Sequence, residues 1–302
     1  MEAIVVATEN LDDEIDHYLR QGFRLEMLMP ADSPREASLT NGSQKINLKS
    51  NDDRSRTGEW VIGRAGMMYR DLIPDRLDGK LIASQIRIVE GGPVPDYVHY
   101  HKVRFQMIYC LSGRIRVVYE GQGEPFWLEP GDCVLQPPEI RHRVLEAESN
   151  SEVLEISSPA EHETWIDHEM KLPNIDTEIN RKFSGQSFLR HEARRLDPVR
   201  SSADGLLIRD TGILKASRGL ADVWNLRVTT EDGLRREIGG LYAGSATFYF
   251  VVEGSVRLSL KEKEQGQFET GESFVIPPKT LYCLTCSKDT DLVKFAPASN
   301  LL

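Results

Sequence analysis

The chain has 302 residues, with 47 acidic side chains against 37 lysines and arginines and a net charge of −10. Its 40% hydrophobic and 28% charged residues are globular values, which exclude a disordered, fibrous or disulfide-built chain and suggest about two domains. No basic cluster calls for nucleic acid, and no run reaches the ~20 apolar residues that span a bilayer, so a cytoplasmic protein with neither partner is expected.

Residues 1–55 read as a small βαββ segment. The run AIVVA is a strand, and Asn10 is placed to cap a helix in which Leu11, Ile15 and Tyr18 recur at helical spacing. Gly22 ends that helix, and FRLEMLM and KINLK supply two more strands. This order resembles half of a vicinal-oxygen-chelate (glyoxalase-like) module. That family places metal ligands on paired halves, and one half is visible here, with His17 on the helix. No site is carried over, and packing or dimerisation is the expected role.

From about residue 60 the signals are short strands punctuated by Gly, Pro and Asp, an all-β pattern. The segment MIYCLSGRIRVVYEGQGEPFWLEPGDCVLQPPEIRHRVL corresponds to YFVVEGSVRLSLKEKEQGQFETGESFVIPPKTLYCLTC. Gly113 matches Gly254, Gly131 matches Gly271 and Pro137-Pro138 match Pro277-Pro278, at a steady offset of 140 to 141 residues. Turn residues kept at one offset mean one β unit duplicated. The predicted division is a first barrel at 56–158, a linker at 159–185 and a second barrel at 186–302.

Two tempting motifs are weak. In the linker, His162-Glu163 and His168-Glu169 lack the H-E-x-x-H spacing that sets two histidines on one helical face, so a solvated linker or interdomain helix is expected. Cys283 and Cys286 form a C-x-x-C within a strand-like run, where an i, i+3 pair faces opposite ways. They read as core residues.

The residues that carry chemistry lie in the first barrel. His99 and His101 are two apart, and on a strand they share a face about 7 Å apart along the chain. Gln106 follows, and His142 comes after the Pro137-Pro138 corner. Imidazoles from two separated strands suit a divalent first-row transition metal, whereas Mg and Ca prefer oxygen.

These residues resemble the motifs of the cupin superfamily. Its first motif is a glycine, H-x-H, three or four residues, Glu, six residues and Gly; its second is Gly, five residues, P-x-G, two residues and His. Here the first runs Gly92, His99, His101, Gln106, Gly113 and the second runs Gly131, Pro137, Glu139, His142. The motifs cover about residues 62–157 and the repeat 185–298. Three departures stand out: one extra residue between Gly92 and His99, Glu139 for the second motif's glycine, and Gln106 for the usual glutamate. The resemblance implies a mainly β protein of two tandem cupin (jelly-roll-like) β-barrels behind a small α+β segment. It also implies a metal held by His99, His101, His142 and position 106.

An amide oxygen cancels none of the ion's charge, so a three-His, one-Gln site would stay near +2 and favour an anionic ligand. Strand parity from Gln106 turns Ile108 and Cys110 toward the cavity. Gln85 and Arg87 share one face of the preceding strand and are candidates to meet a substrate anion. Tyr100, Arg141 and Arg143 should point outward. In the second barrel Gly240 and Tyr242 stand opposite His99 and His101, Thr247 opposite Gln106 and Tyr282 opposite His142. Without histidines that barrel should be metal-free, serving packing, a homodimer or a cavity lid.

The expected function is a metal-dependent bicupin enzyme with iron as the first choice of metal and zinc or nickel as alternatives. The leading reaction is a dioxygenation of a small enolic, diketone or phenolic substrate. A redox-neutral isomerase, cyclase or lyase, and a non-enzymatic small-molecule binder, are the alternatives.

Overall fold

Among the described residues the ten-residue helix Leu11–Arg20 and short helical turns are the helical elements, and strands make up the rest of the regular structure. The computed structural model describes residues 3–51, 57–174, 177–195, 199–200, 205–229, 236–261 and 263–302. The predicted boundary between residues 55 and 56 lies outside them. Two units result: residues 1–130 with 136–188, and residues 131–135 with 189–302.

In the first unit the opening segment folds where its local signals agree. Asn10 Oδ1 accepts the Asp13 N–H at 3.3 Å, and Asp12, Asp13 and Glu14 sit at the positive end of the helix dipole. Leu11 and Ile15 are buried against Leu28, Leu39 and Leu48. The strands are Ile4–Thr8, Arg24–Met29, Glu36–Thr40 and Lys45–Ser50, so the order is βαβββ rather than βαββ. The extra strand, EASLT, carries only two apolar positions and gives little alternation to read.

This sheet runs on into the barrel. The strand Thr164–Ile166 pairs with Arg24–Met29 on one side and His99–His101 on the other. Next in order come His142–Ala147, Ile115–Tyr119 and Phe126–Leu128. Residues 159–188 therefore belong to the first unit, and the expectation of a solvated linker or helix there is corrected. A three-residue strand flanked by charged and polar residues has too short a pattern to register. The facing sheet contains, in order, Phe105–Ser112, Ser151–Ser158, Ile82–Ile88, Met68–Asp71 and Trp60–Ile62, all antiparallel.

The second unit repeats the plan. One sheet joins Leu206–Asp210, Ala221–Val228, Asp291–Pro297, Thr247–Glu253 and Ser273–Ile276, and the other joins Arg236–Ala243, Thr280–Cys286, Ser255–Leu260 and Lys263–Glu269. Tyr249, Val251, Val256, Leu258, Ile276, Tyr282, Leu284 and Leu292 form its core. Cys286 faces that core while Cys283 is half-buried on the other face, and both are free thiols.

The matched glycines explain why the repeat is legible. Gly113 (φ +63°) and Gly254 (φ +84°) both take the left-handed conformation at the tight turn that carries the chain from one sheet of each barrel to the other. A Cβ at Gly113 would run into Ser151, and one at Gly254 would meet Thr290 Oγ1 at 2.7 Å. Among the described residues no helix is long and apolar enough to cross a membrane.

Candidate metal centre

Two of the three motif histidines sit on a strand of only three residues. His99–His101 is held by Thr164–Ile166 along one edge and, through the pair His99–His142, by His142–Ala147 along the other. Period-two geometry turns both imidazoles inward, and His142 joins them from the neighbouring strand. All three are buried, with ligand nitrogens within 4.8 Å of one another and ring centroids 4.2 to 5.2 Å apart.

Each ring is fixed from behind. His99 Nδ1 lies 2.8 Å from the Tyr97 carbonyl, His142 Nδ1 lies 2.9 Å from the Ile140 carbonyl, and His101 Nδ1 lies 2.9 Å from Thr164 Oγ1. A carbonyl oxygen only accepts, so in His99 and His142 the proton is on Nδ1 and the lone pair on Nε2. Asp96, with a fully buried carboxylate, stands 3.7 Å behind His99 Nδ1 and accepts the Val144 N–H at 2.9 Å. In their neutral form, three imidazoles gathered in this way fit a divalent first-row ion.

The corner that delivers His142 keeps a left-handed residue where the motif expects glycine. Glu139 has φ +62°, and its N–H donates to the His101 carbonyl at 3.1 Å. Its counterpart in the second barrel, Lys279, has φ +54°. The departure is chemical only; the backbone keeps the glycine conformation.

Gln106 is buried beside the trio, yet its amide is engaged elsewhere. Its Oε1 accepts from Gln136 Nε2 at 3.0 Å, and its Nε2 donates to Glu155 Oε1 at 3.1 Å. Tyr119, whose phenol is pushed up by burial and by the charge of Glu155, stays protonated and donates to Gln136 Oε1 at 2.5 Å. Gln106 is thus an amide held in a hydrogen-bond chain that a carboxylate orients. Glu155 also puts a negative charge back near the centre, so the argument for an uncompensated +2 site does not hold.

The cavity before the histidines has a volume of about 50 Å³. Its polar lining is His99, His101, His142, Gln136, Tyr69, Tyr119 and Glu155, and isoleucines 86, 88, 108 and 115 with valines 117, 144 and 153 supply much of an apolar wall. Ile108 is where strand parity put it. Cys110 shares that face but turns its thiol to the Ser112 and Gly113 carbonyls at 4.0 and 3.7 Å, away from the lining.

Gln85 and Arg87 are corrected as substrate groups. Ile86 and Ile88 line the cavity, so Gln85 and Arg87 take the outer face of the same strand. Arg87 Nε donates to Glu152 at 2.7 Å and its guanidinium lies 4.4 Å from the Trp60 ring, while Gln85 bonds Arg70 and Glu152.

Three residues near the centre were not expected there. Gln136 Nε2 lies 3.4 Å from His142 Nε2, and Glu155 sits directly across the ladder from Ile108. His162, expected in the linker, is buried with its ring edge-on to His101 at 5.4 Å. Gln136 stands immediately before Pro137-Pro138, the signal that could have found it.

Residues 85–157 match the Cupin domain family. Among solved structures the chain is similar to a single-site variant of oxalate decarboxylase from Bacillus subtilis, at 12% identity and TM-score 0.58 over 82% of this chain and 78% of that chain. It is also similar to salicylate 1,2-dioxygenase from Pseudaminobacter salicylatoxidans, at 14% identity and TM-score 0.57 over 76% of each chain. A further structure of the Bacillus subtilis oxalate decarboxylase, described with Mn(II) centres, aligns at 13% identity and TM-score 0.58 over 82% of this chain and 78% of that one. No curated protein matches the sequence. At such identities the likeness establishes a fold, two tandem cupin barrels with a small α+β segment, and no activity.

Proposed function

We propose that the first barrel is the active site of a metal-dependent enzyme that oxidises a small, enolisable acid with O2. The carrying observation is three buried imidazoles, each fixed at Nδ1, closing one end of a cavity whose walls are otherwise largely apolar. His99, His101 and His142 would hold the ion, which supplies Lewis acidity toward an anionic oxygen and, as iron, affinity for O2.

The chain's own groups favour that use. The isoleucine and valine wall seats the hydrocarbon part of a substrate and excludes water, which strengthens the electrostatics within. Gln136 brings an amide N–H to within 3.4 Å of His142 Nε2, where it can donate to an anionic oxygen gathered at the three rings. Size narrows the class. An engineered cavity of about 150 Å³ takes up benzene, so about 50 Å³ suits an acid of a few heavy atoms and does not suit a phenolic ring.

The same small volume supports a second reading, a redox-neutral decarboxylation or isomerisation, because little room is left for O2 beside the substrate. An oxygen electrode separates the two. Protein loaded anaerobically with Fe(II) is mixed with small 2-oxo and 1,3-dicarbonyl acids, and the expected result is O2 uptake equal to substrate loss. Product without uptake would give the redox-neutral reading. Substrates recovered unchanged with Fe, Mn, Zn and Ni alike would remove enzymatic activity.

A further inference from the structure

Resting on the enzyme reading above, we propose that Glu155 makes this cavity selective for a hydroxylated or enolic monoacid and against a dicarboxylate. Glu155 lies on Ser151–Ser158 with its side chain on the cavity face, alongside Val153 and opposite Ile108. Its Oε1 already accepts two hydrogen bonds, from Gln106 Nε2 at 3.1 Å and from Ser157 Oγ at 3.0 Å. Oε2 is the oxygen left for the space that the residue lines.

The hydrogen bonds fix which chemistry that oxygen offers. Tyr119 donates to Gln136, Gln136 donates to Gln106, and Gln106 donates to Glu155. Every link runs toward the carboxylate, so the chain ends in an acceptor with no proton to give. A substrate anchored by one anionic group at the imidazoles therefore meets, across an apolar wall, a second anion. A hydroxyl or enol O–H placed there gains a charge-assisted hydrogen bond. A second carboxylate placed there meets a like charge in a poorly solvated pocket and is disfavoured. The position that the cupin motif gives to a glutamate carries an amide here, and the carboxylate stands one strand over, where it faces substrate instead of ion.

Replacement by glutamine inverts this wall. In Glu155→Gln the donors Gln106 and Ser157 still claim the side-chain oxygen, which leaves an NH2 for the cavity. Calorimetric titration of the zinc-loaded protein with propionate, lactate, 3-hydroxypropionate and malonate reads the outcome. In the wild type at least one hydroxy acid should bind about 10-fold or more tighter than propionate, and malonate should bind weakest. Glu155→Gln should erase the hydroxyl preference and strengthen malonate about 10-fold, with zinc still one per chain. Glu155→Ala, which deletes both carboxylate oxygens, should give the same loss of hydroxyl preference with zinc still one per chain, which guards against a folding defect in the glutamine variant. An unchanged ranking in these variants, or a wild type that prefers malonate, would overturn the proposal. Bound zinc with no affinity for any of the four acids would instead sink the small-acid reading, and the selectivity of Glu155 with it.

Discussion

Where the first barrel places His142, the second places Tyr282, and that one difference runs through both interiors. In the first, the inward-facing nitrogens converge on a cavity. In the second, the phenols of Tyr249 and Tyr282 bond each other at 2.7 Å inside a packed apolar core. Burial pushes both phenols up, so they stay neutral and satisfy one another. One scaffold thus serves two ends, according to whether its inward polar groups are satisfied by each other or left for a ligand.

Hollowing the filled barrel should have the largest effect. Tyr249→Ala removes a side chain of 1% exposure and should cost about 3–5 kcal/mol in chemical denaturation, while metal content stays unchanged. A smaller effect is expected from the support of the ligand shell. Thr164→Val deletes the group that orients His101 and should weaken metal binding about 10–100-fold in competition with a chromophoric chelator. The protein without metal should lose only about 1 kcal/mol.

The smallest effect is expected where the two barrels are alike. Glu139 and Lys279 hold the same left-handed corner without glycine. Glu139→Gly and Lys279→Gly should each raise stability by about 1 kcal/mol in denaturant titrations. A gain in only one barrel would show that the corners are not equivalent.

The sequence made the scaffold readable because turns constrain residue type strongly. Gly113 and Gly254 allow no Cβ, so a duplicated turn stays visible after the strands between have diverged. Period two likewise placed His99, His101 and Ile108 on the interior side. What failed was information held in pairing between strands. Gln85 and Arg87 share a face, but only the ladder with Glu152 and the stacking on Trp60 show it to be the outer one. Glu155 and Gln106 meet because Ser151–Ser158 pairs with Phe105–Ser112, a register no local pattern reports. Thr164 was lost for another reason: a strand of three residues is too short for any periodicity.

Elemental analysis of purified protein decides whether the chain holds a single metal centre, confined to the first barrel. One first-row divalent ion per chain should be found in the wild type and in Tyr282→Phe, and none in His142→Ala. Two ions per chain, or an ion retained at full stoichiometry by His142→Ala, would contradict the account.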